Sequence, residues 1–143
     1  MRINKDEKFL SKKCEPILKE EWSNIKMKLF IAMKNTPNAV GIACNQVGIQ
    51  KRGFAIRDKN SAGGNIKYFM NPTIEYYDEG GTIDSVEQCL SIPNKYHKVK
   101  RHKIVHVTDD INGKEMYLDY MAIVVQHEYD HMDGVLIKHK EVK

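Results

Sequence analysis

The stretch Asp119-Tyr120-Met121-Ala122-Ile123-Val124-Val125-Gln126-His127-Glu128-Tyr129-Asp130-His131-Met132-Asp133-Gly134 carries the marks of one helix. Asp119 is a residue type that caps helix amino termini, and Gly134 is placed to end the helix in a left-handed conformation. His127 and His131 stand four residues apart, and a helix that turns once every ~3.6 residues points both imidazoles from one face. Glu128 then lies beside any ion the pair holds without having to ligate it, which is where a general base acting on water must be. Either histidine alone reads as a partly buried core residue; the pair around Glu128 reads as a metal site. Asp130 turns away from the pair and is expected to orient a histidine or face solvent rather than bind the ion.

Two histidines leave a catalytic ion one protein ligand short, because open sites usually have three plus water. The third histidine of metzincin proteases would follow the glycine, but here Gly134 is followed by Val135-Leu136-Ile137. Cys89, in Glu87-Gln88-Cys89-Leu90-Ser91, is the best replacement, and its alternative is a buried structural thiol. Two other readings stay open at this point: a zinc endopeptidase with a third ligand elsewhere, and a closed structural site with Cys44 as fourth ligand.

Outward from the helix, Leu18, Trp22, Ile25, Leu29 and Met33 recur at helical spacing after Pro16 and are stopped by Asn35-Thr36-Pro37-Asn38. This predicts an amino-terminal amphipathic helix. Between Val40 and Leu118 short apolar runs predict strands over Gly53 to Arg57, Ile66 to Met70, Thr73 to Tyr77 and Ile104 to Val107. Turns are expected at Ser61 to Asn65, at Gly80-Gly81, and at Asp109 to Gly113, the last leading into a strand over Lys114 to Leu118. The predicted fold is α+β, one domain over residues 1–143, with antiparallel strands packed around the carboxyl-terminal helix and the amphipathic helix added at the amino end.

Hydrophobic residues make up 41% and charged residues 29% of the 143, ordinary globular usage that excludes a disordered chain. No apolar run approaches the ~20 residues of a membrane span, and the charged amino terminus lacks a secretory core, so a cytoplasmic protein is expected. Three scattered cysteines, Cys14, Cys44 and Cys89, argue for reduced thiols. The net charge of +4, to which Lys138, Lys140 and Lys143 contribute, reads as a solvated basic tail and is compatible with weak association with an acidic surface such as a ribosome. No basic stripe interleaved with aromatics marks a nucleic-acid site.

Three segments together resemble the peptide deformylase family. Its first motif, Gly-x-Gly-x-Ala-Ala-x-Gln, is similar to Ala39-Val40-Gly41-Ile42-Ala43-Cys44-Asn45-Gln46; its second, Glu-Gly-Cys-Leu-Ser, to Glu87-Gln88-Cys89-Leu90-Ser91; its third, Gln-His-Glu-x-Asp-His, to Gln126 through His131. Met70-Asn71-Pro72 and Asp133-Gly134-Val135-Leu136 extend the likeness. Ala39, Cys44 and Gln88 depart from the motifs, and Gln88 stands where a glycine could supply dihedrals closed to other residues. Residues 135–143 after Gly134 do not amount to the longer helix with which bacterial members dock on ribosomes, so a short form like those of virus-encoded members, compatible with a phage origin, is expected.

The resemblance implies hydrolysis of the formyl group from the amino-terminal methionine of nascent polypeptides, with release of formate. It implies Cys89, His127 and His131 as ligands of one divalent ion, Fe(II) in the cell, with Zn(II), Ni(II) or Co(II) accepted by the same donors. Glu128 becomes the catalytic acid and base, the Gln46 side-chain amide and Leu90 backbone N–H stabilise the oxyanion, and Gly41 offers main-chain hydrogen bonds to substrate. Taken alone, Gln46 would read as a loop-capping amide. Glu87 and Arg101 are expected to form a supporting ion pair. Val40, Tyr120, Ile123 and Val124 are candidates for lining the methionine pocket, or else are ordinary core.

Overall fold

The reversal at Asp109 to Gly113 is built from its own side chains: Asp109 accepts from the N–H groups of Ile111 (3.2 Å) and Asn112 (3.0 Å), and Gly113 takes φ +71. The computed structural model describes residues 3–58 and 65–142. In it this turn joins β7 (Ile104–Asp109) to β8 (Gly113–Leu118), paired antiparallel from Asp109↔Gly113 to Ile104↔Leu118. β4 (Thr73–Tyr76) pairs with the other side of β7. Asp109 also accepts from the N–H of Met70 at 3.0 Å and so ties this sheet to β3 (Ile66–Met70) of the next.

That second sheet has the order β1 (Gly41–Ala43), β2 (Gly53–Arg57), β3, all antiparallel. Gly53-Phe54-Ala55-Ile56 is buried on both faces, which is why it reads as a near-continuous apolar run. Phe54 and Ile56 meet Val105, Val125 and Met132, with Phe54 stacked on Phe69 at 4.6 Å, while Ala55 belongs to a second apolar cluster with Ile25, Leu29 and Met33. The turn expected at Ser61 to Asn65 lies largely outside the described residues. The strands on either side pair as expected, with Asp58 N–H donating to Asn65 O at 3.0 Å.

The helical periodicity near the amino end starts later than its spacing predicts. A short α1 (Glu7–Leu10) is followed by a 3-10 turn over Lys19–Glu21, and α2 runs Trp22–Asn35. Glu21 accepts the N–H of Leu18 at 2.9 Å, closing a cap that delays the helix and leaves Leu18 56% exposed. Ile25, Leu29 and Met33 are buried as predicted, against Ile42, Ala55 and Met70.

The longest hairpin, β5 (Thr82–Cys89) with β6 (Ile92–His102), has no counterpart among the predicted strands. Its outward side chains are polar, charged or solvent-facing, and few inward positions are apolar, so alternation of hydrophobic residues does not mark it. The Gly80-Gly81 turn precedes it, with Gly81 at φ +79.

α3 (Asp119–Met132) packs against β1, β2, β6, β7 and β8, so strands of all three sheets surround it, as predicted. Asp119 is not its cap. β8 runs straight into the helix, Leu118 takes the cap position, and Asp119 turns the chain at φ +51 while donating its N–H to Lys103 O at 2.8 Å. Gly134 ends the helix at φ +73, pressed on the amino-terminal segment so closely that a Cβ would lie 2.4 Å from Ser11 O. Among the described residues no helix is long and apolar enough to cross a membrane.

Gly134→Ala therefore combines a left-handed residue with a backbone clash and is expected to lower the unfolding free energy by about 2 kcal/mol or more. Urea denaturation of both proteins checks this, and a loss below about 0.5 kcal/mol would show that the Ser11 turn gives way freely.

Candidate active site

Alternation along β5 turns Glu87 and Cys89 inward and Gln88 outward, and a register shift lies between Glu87 and Cys89. Gln88 is not among the positive-φ residues, so the glycine of the family motif is not needed for its backbone at this position. On α3, His127 and His131 project together, ring centroids 5.3 Å apart. Cys89, His127 and His131 each offer one ligand atom, all within 4.8 Å of one another, and they form a metal-binding group.

The donors fit an ion. A tetrahedral centre with about 2.3 Å to sulfur and about 2.1 Å to nitrogen sets those donors about 3.6 Å apart, and Cys89 Sγ lies 3.6 Å from His131 Nε2. The Nδ1 of His127 is committed to Glu87 Oε1 at 2.9 Å, which leaves its Nε2 for the ion. Burial, joined by the positive charges of His127 and Arg101, pushes His131 well below its usual value and keeps it the neutral imidazole a ligand must be. Burial also disfavours charge on His127, but hydrogen bonds to Cys89 and Glu87 outweigh it and raise that group to about 10, so an ion taken up at its Nε2 would displace a proton there.

Behind the ligands, Arg101 is 1% exposed. It donates two hydrogen bonds of 2.8 Å to Glu87 and one of 2.6 Å to Asp130. The expected Glu87–Arg101 pair is present. Asp130 does neither of the things expected of it: among the described residues it orients no histidine, and it does not face solvent but pairs with Arg101 and with Lys140 at 3.1 Å. Burial would raise Glu87, yet Arg101 and His127 hold it at about 2. Lys138 pairs with Glu7, so neither described lysine of the terminal segment belongs to a free basic tail.

Glu128 is 4% exposed, its Oε1 has no partner among the described residues, and burial pushes its carboxyl up to about 7 against the charge of His127. Gly41 lies directly beneath it: a Cβ there would stand 2.7 Å from Oε2. The loop-capping reading of Gln46 is met, and the other end of its amide lies beside Cys89. Its Oε1 accepts the N–H of Ala43 at 2.9 Å and caps a 3-10 turn over Cys44–Val47, while its Nε2 turns to Ser91 Oγ (3.2 Å) and Cys89 Sγ (3.7 Å). Leu90 is half-buried on the wall of a cavity of about 410 Å³. That wall also takes in Val40, Gly41, Tyr120, Ile123 and Val124; Val124 belongs to the core as well, and Tyr120 is exposed.

Cys44 is not brought to the site. It sits in the α2 cluster beside Gly53, and burial pushes its thiol well above the usual range. Spacing alone did not single out three buried polar residues. Asn45 donates to His131 O (2.9 Å), Ser91 donates to Asn4 O (2.7 Å), and Gln126 holds both main-chain groups of His102 (3.0 and 2.8 Å). Their position inside the motifs was the available signal.

A family model described as polypeptide deformylase matches residues 2–143. The chain belongs to the peptide deformylase family. It is 39% identical to peptide deformylase 1 of Clostridium perfringens over 142 residues, 95% of this chain and 92% of that one. The crystal structure of the Thermotoga maritima peptide deformylase matches with a TM-score of 0.85 at 30% identity, covering 99% of this chain and 97% of that one. A probable peptide deformylase from Synechococcus phage S-SSM7 matches with a TM-score of 0.86 at 30% identity, covering 98% and 99%. As a peptide deformylase, the chain is a hydrolase that removes the N-formyl group from nascent peptides.

Cys89→Ala leaves two imidazoles, a poor site without the thiolate charge, and is expected to lose most bound metal; Cys44→Ala is expected to keep it. Metal analysis after gel filtration reads both, and loss from Cys44→Ala would restore the closed-site reading.

Proposed function

We propose that Glu128, Gln46 and Leu90 carry out deformylation beside an ion held by Cys89, His127 and His131. The observation that carries this reading is a buried glutamate whose Oε1 has no partner among the described residues, packed on Gly41 next to three converging ligand atoms at a cavity wall. The ion would supply Lewis acidity and lower the pKa of a water toward neutrality. Glu128 accepts the proton of that water as it attacks the formyl carbon, and returns it to the leaving amine as formate departs. The Gln46 amide and the Leu90 N–H are aimed at the oxygen on which charge builds, where one such donor is typically worth about 2.7 to 4 kcal/mol.

β1 is an edge strand of its sheet, so Gly41 can offer main-chain hydrogen bonds to an extended peptide. Val40, Tyr120, Ile123 and Val124 would receive the methionine side chain of an N-formylmethionyl nascent peptide. Fe(II) is the proposed ion in the cell, and the mixed sulfur and nitrogen donors also suit Zn(II), Ni(II) or Co(II). Residues 1–143 would act as one catalytic domain in the cytoplasm, where nascent chains emerge. The net charge of +4 supports weak ribosome association, although Lys138 and Lys140 are already ion-paired.

Glu128→Ala separates chemistry from binding, since all three ligands remain. With formyl-Met-Ala as substrate, kcat is expected to fall by about 10² to 10⁴ while metal content, melting temperature and KM change little. A metal-loaded Glu128→Ala that releases formate at the parent rate would remove Glu128 from the reaction.

A further inference from the structure

The geometry points to Ser91 and the main chain of Asn4 as positioning residues that fix the plane of the Gln46 amide, which makes the amino-terminal segment part of the catalytic apparatus. This rests on the reading of Gln46 as the oxyanion donor.

Gln46 is 2% exposed, and its Oε1 is already held by the N–H of Ala43. An amide pinned at one atom can still rock, because the terminal torsion of a glutamine is broad. The second fixed point is Ser91 Oγ, which lies 3.2 Å from Nε2. A hydroxyl can turn its proton toward the amide as readily as its lone pairs, so it fixes orientation only if its own proton is engaged elsewhere. Asn4 supplies that engagement: its carbonyl accepts the Ser91 hydroxyl at 2.7 Å. The N–H of the same residue donates to the Gln46 carbonyl at 2.6 Å, so Asn4 grips both Gln46 and the residue that steers it.

The direction of these bonds matters as much as their number. With Ser91 donating to Asn4 it must accept from Gln46, and with Ala43 donating to Oε1 the amide cannot be reversed. Both constraints turn the NH₂ group toward Cys89 Sγ, 3.7 Å away, which is the side where the ion is held. The reversed amide would present a carbonyl oxygen to developing negative charge, the opposite of what an oxyanion needs. Ile3, Asn4 and Lys5 run beside Leu90 and Pro93, so this strap underlies the loop whose N–H is the other proposed donor.

A double-mutant cycle on the metal-loaded protein tests this. Ser91→Ala is expected to lower kcat for formyl-Met-Ala about 5- to 10-fold, the worth of one hydrogen bond, with KM and metal content unchanged. Gln46→Ala should lower kcat by about 10² or more, and adding Ser91→Ala to it should change kcat by less than about 2-fold. A chain shortened to begin at Asp6 should lose kcat as Ser91→Ala does, and that loss should likewise vanish in the Gln46→Ala background. Losses that multiply in the double variant would overturn the positioning role and leave Gln46 in place, as would metal loss from Ser91→Ala. A Gln46→Ala protein as active as the parent would instead overturn the oxyanion reading itself. Should the shortened chain fail to fold, Asn4→Pro, which removes the N–H donated to Gln46 O, takes its place in the same cycle, and a loss of kcat that persists in the Gln46→Ala background would overturn the part given to Asn4.

Discussion

Everything at the site hangs on a guanidinium taken out of water. Arg101, at 1% exposure, is held by Glu87 on β5 and Asp130 on α3, and so joins the hairpin that carries Cys89 to the helix that carries His127 and His131. Removing such a charge from water costs several kcal/mol, and bidentate, well-aligned partners are what offset it. Clusters of this kind add little net stability compared with an apolar replacement, but pulling one partner away leaves a buried charge uncompensated, which favours one arrangement of the elements they join. Here that arrangement sets the distance between a sulfur on a strand and two nitrogens on a helix. Glu87 Oε1 also receives His127 Nδ1, so the ion pair that docks the hairpin also selects which ring nitrogen faces the ion.

The helix serves two demands by dividing its faces. Ala122, Val125 and Met132 fill the core beneath the sheets, while His127 and Glu128 look toward the cavity. A carboxylate so placed needs room, and that room comes from strand β1, where the lack of a side chain at Gly41 lets Glu128 lie on the backbone. Loops outside the helix are then fastened to its end by Asn45, whose amide reaches His131 O, and by Cys14, whose N–H reaches Met132 O. The ligands thus stand on elements whose main chain is hydrogen-bonded on several sides, a requirement for a preorganised site.

What was legible in the sequence followed from periodicity and from turn chemistry. The helix around His127, the β7–β8 reversal and the buried strand Gly53–Arg57 each carry a local pattern strong enough to survive folding. The β5–β6 hairpin does not, because its inner face is held by Glu87, Arg101 and Cys89 rather than by an apolar alternation. Cys89 could be nominated by chemistry but was singled out by its motif. Asp130 was misjudged because its partner, Arg101, lies 29 residues away in the chain. Ser91 and Asn4 were silent for the same reason: a serine and a main-chain carbonyl acquire their roles only when the amino-terminal segment comes to lie beside residues 46 and 91.

One ion gripped by a single sulfur from the hairpin and two nitrogens from the helix is what this arrangement of side chains provides for. X-ray absorption at the metal edge of the zinc- or cobalt-loaded protein reads that donor set directly. One sulfur at about 2.3 Å is expected, with nitrogen or oxygen donors completing the shell. A shell with two sulfurs, or with none, would contradict it.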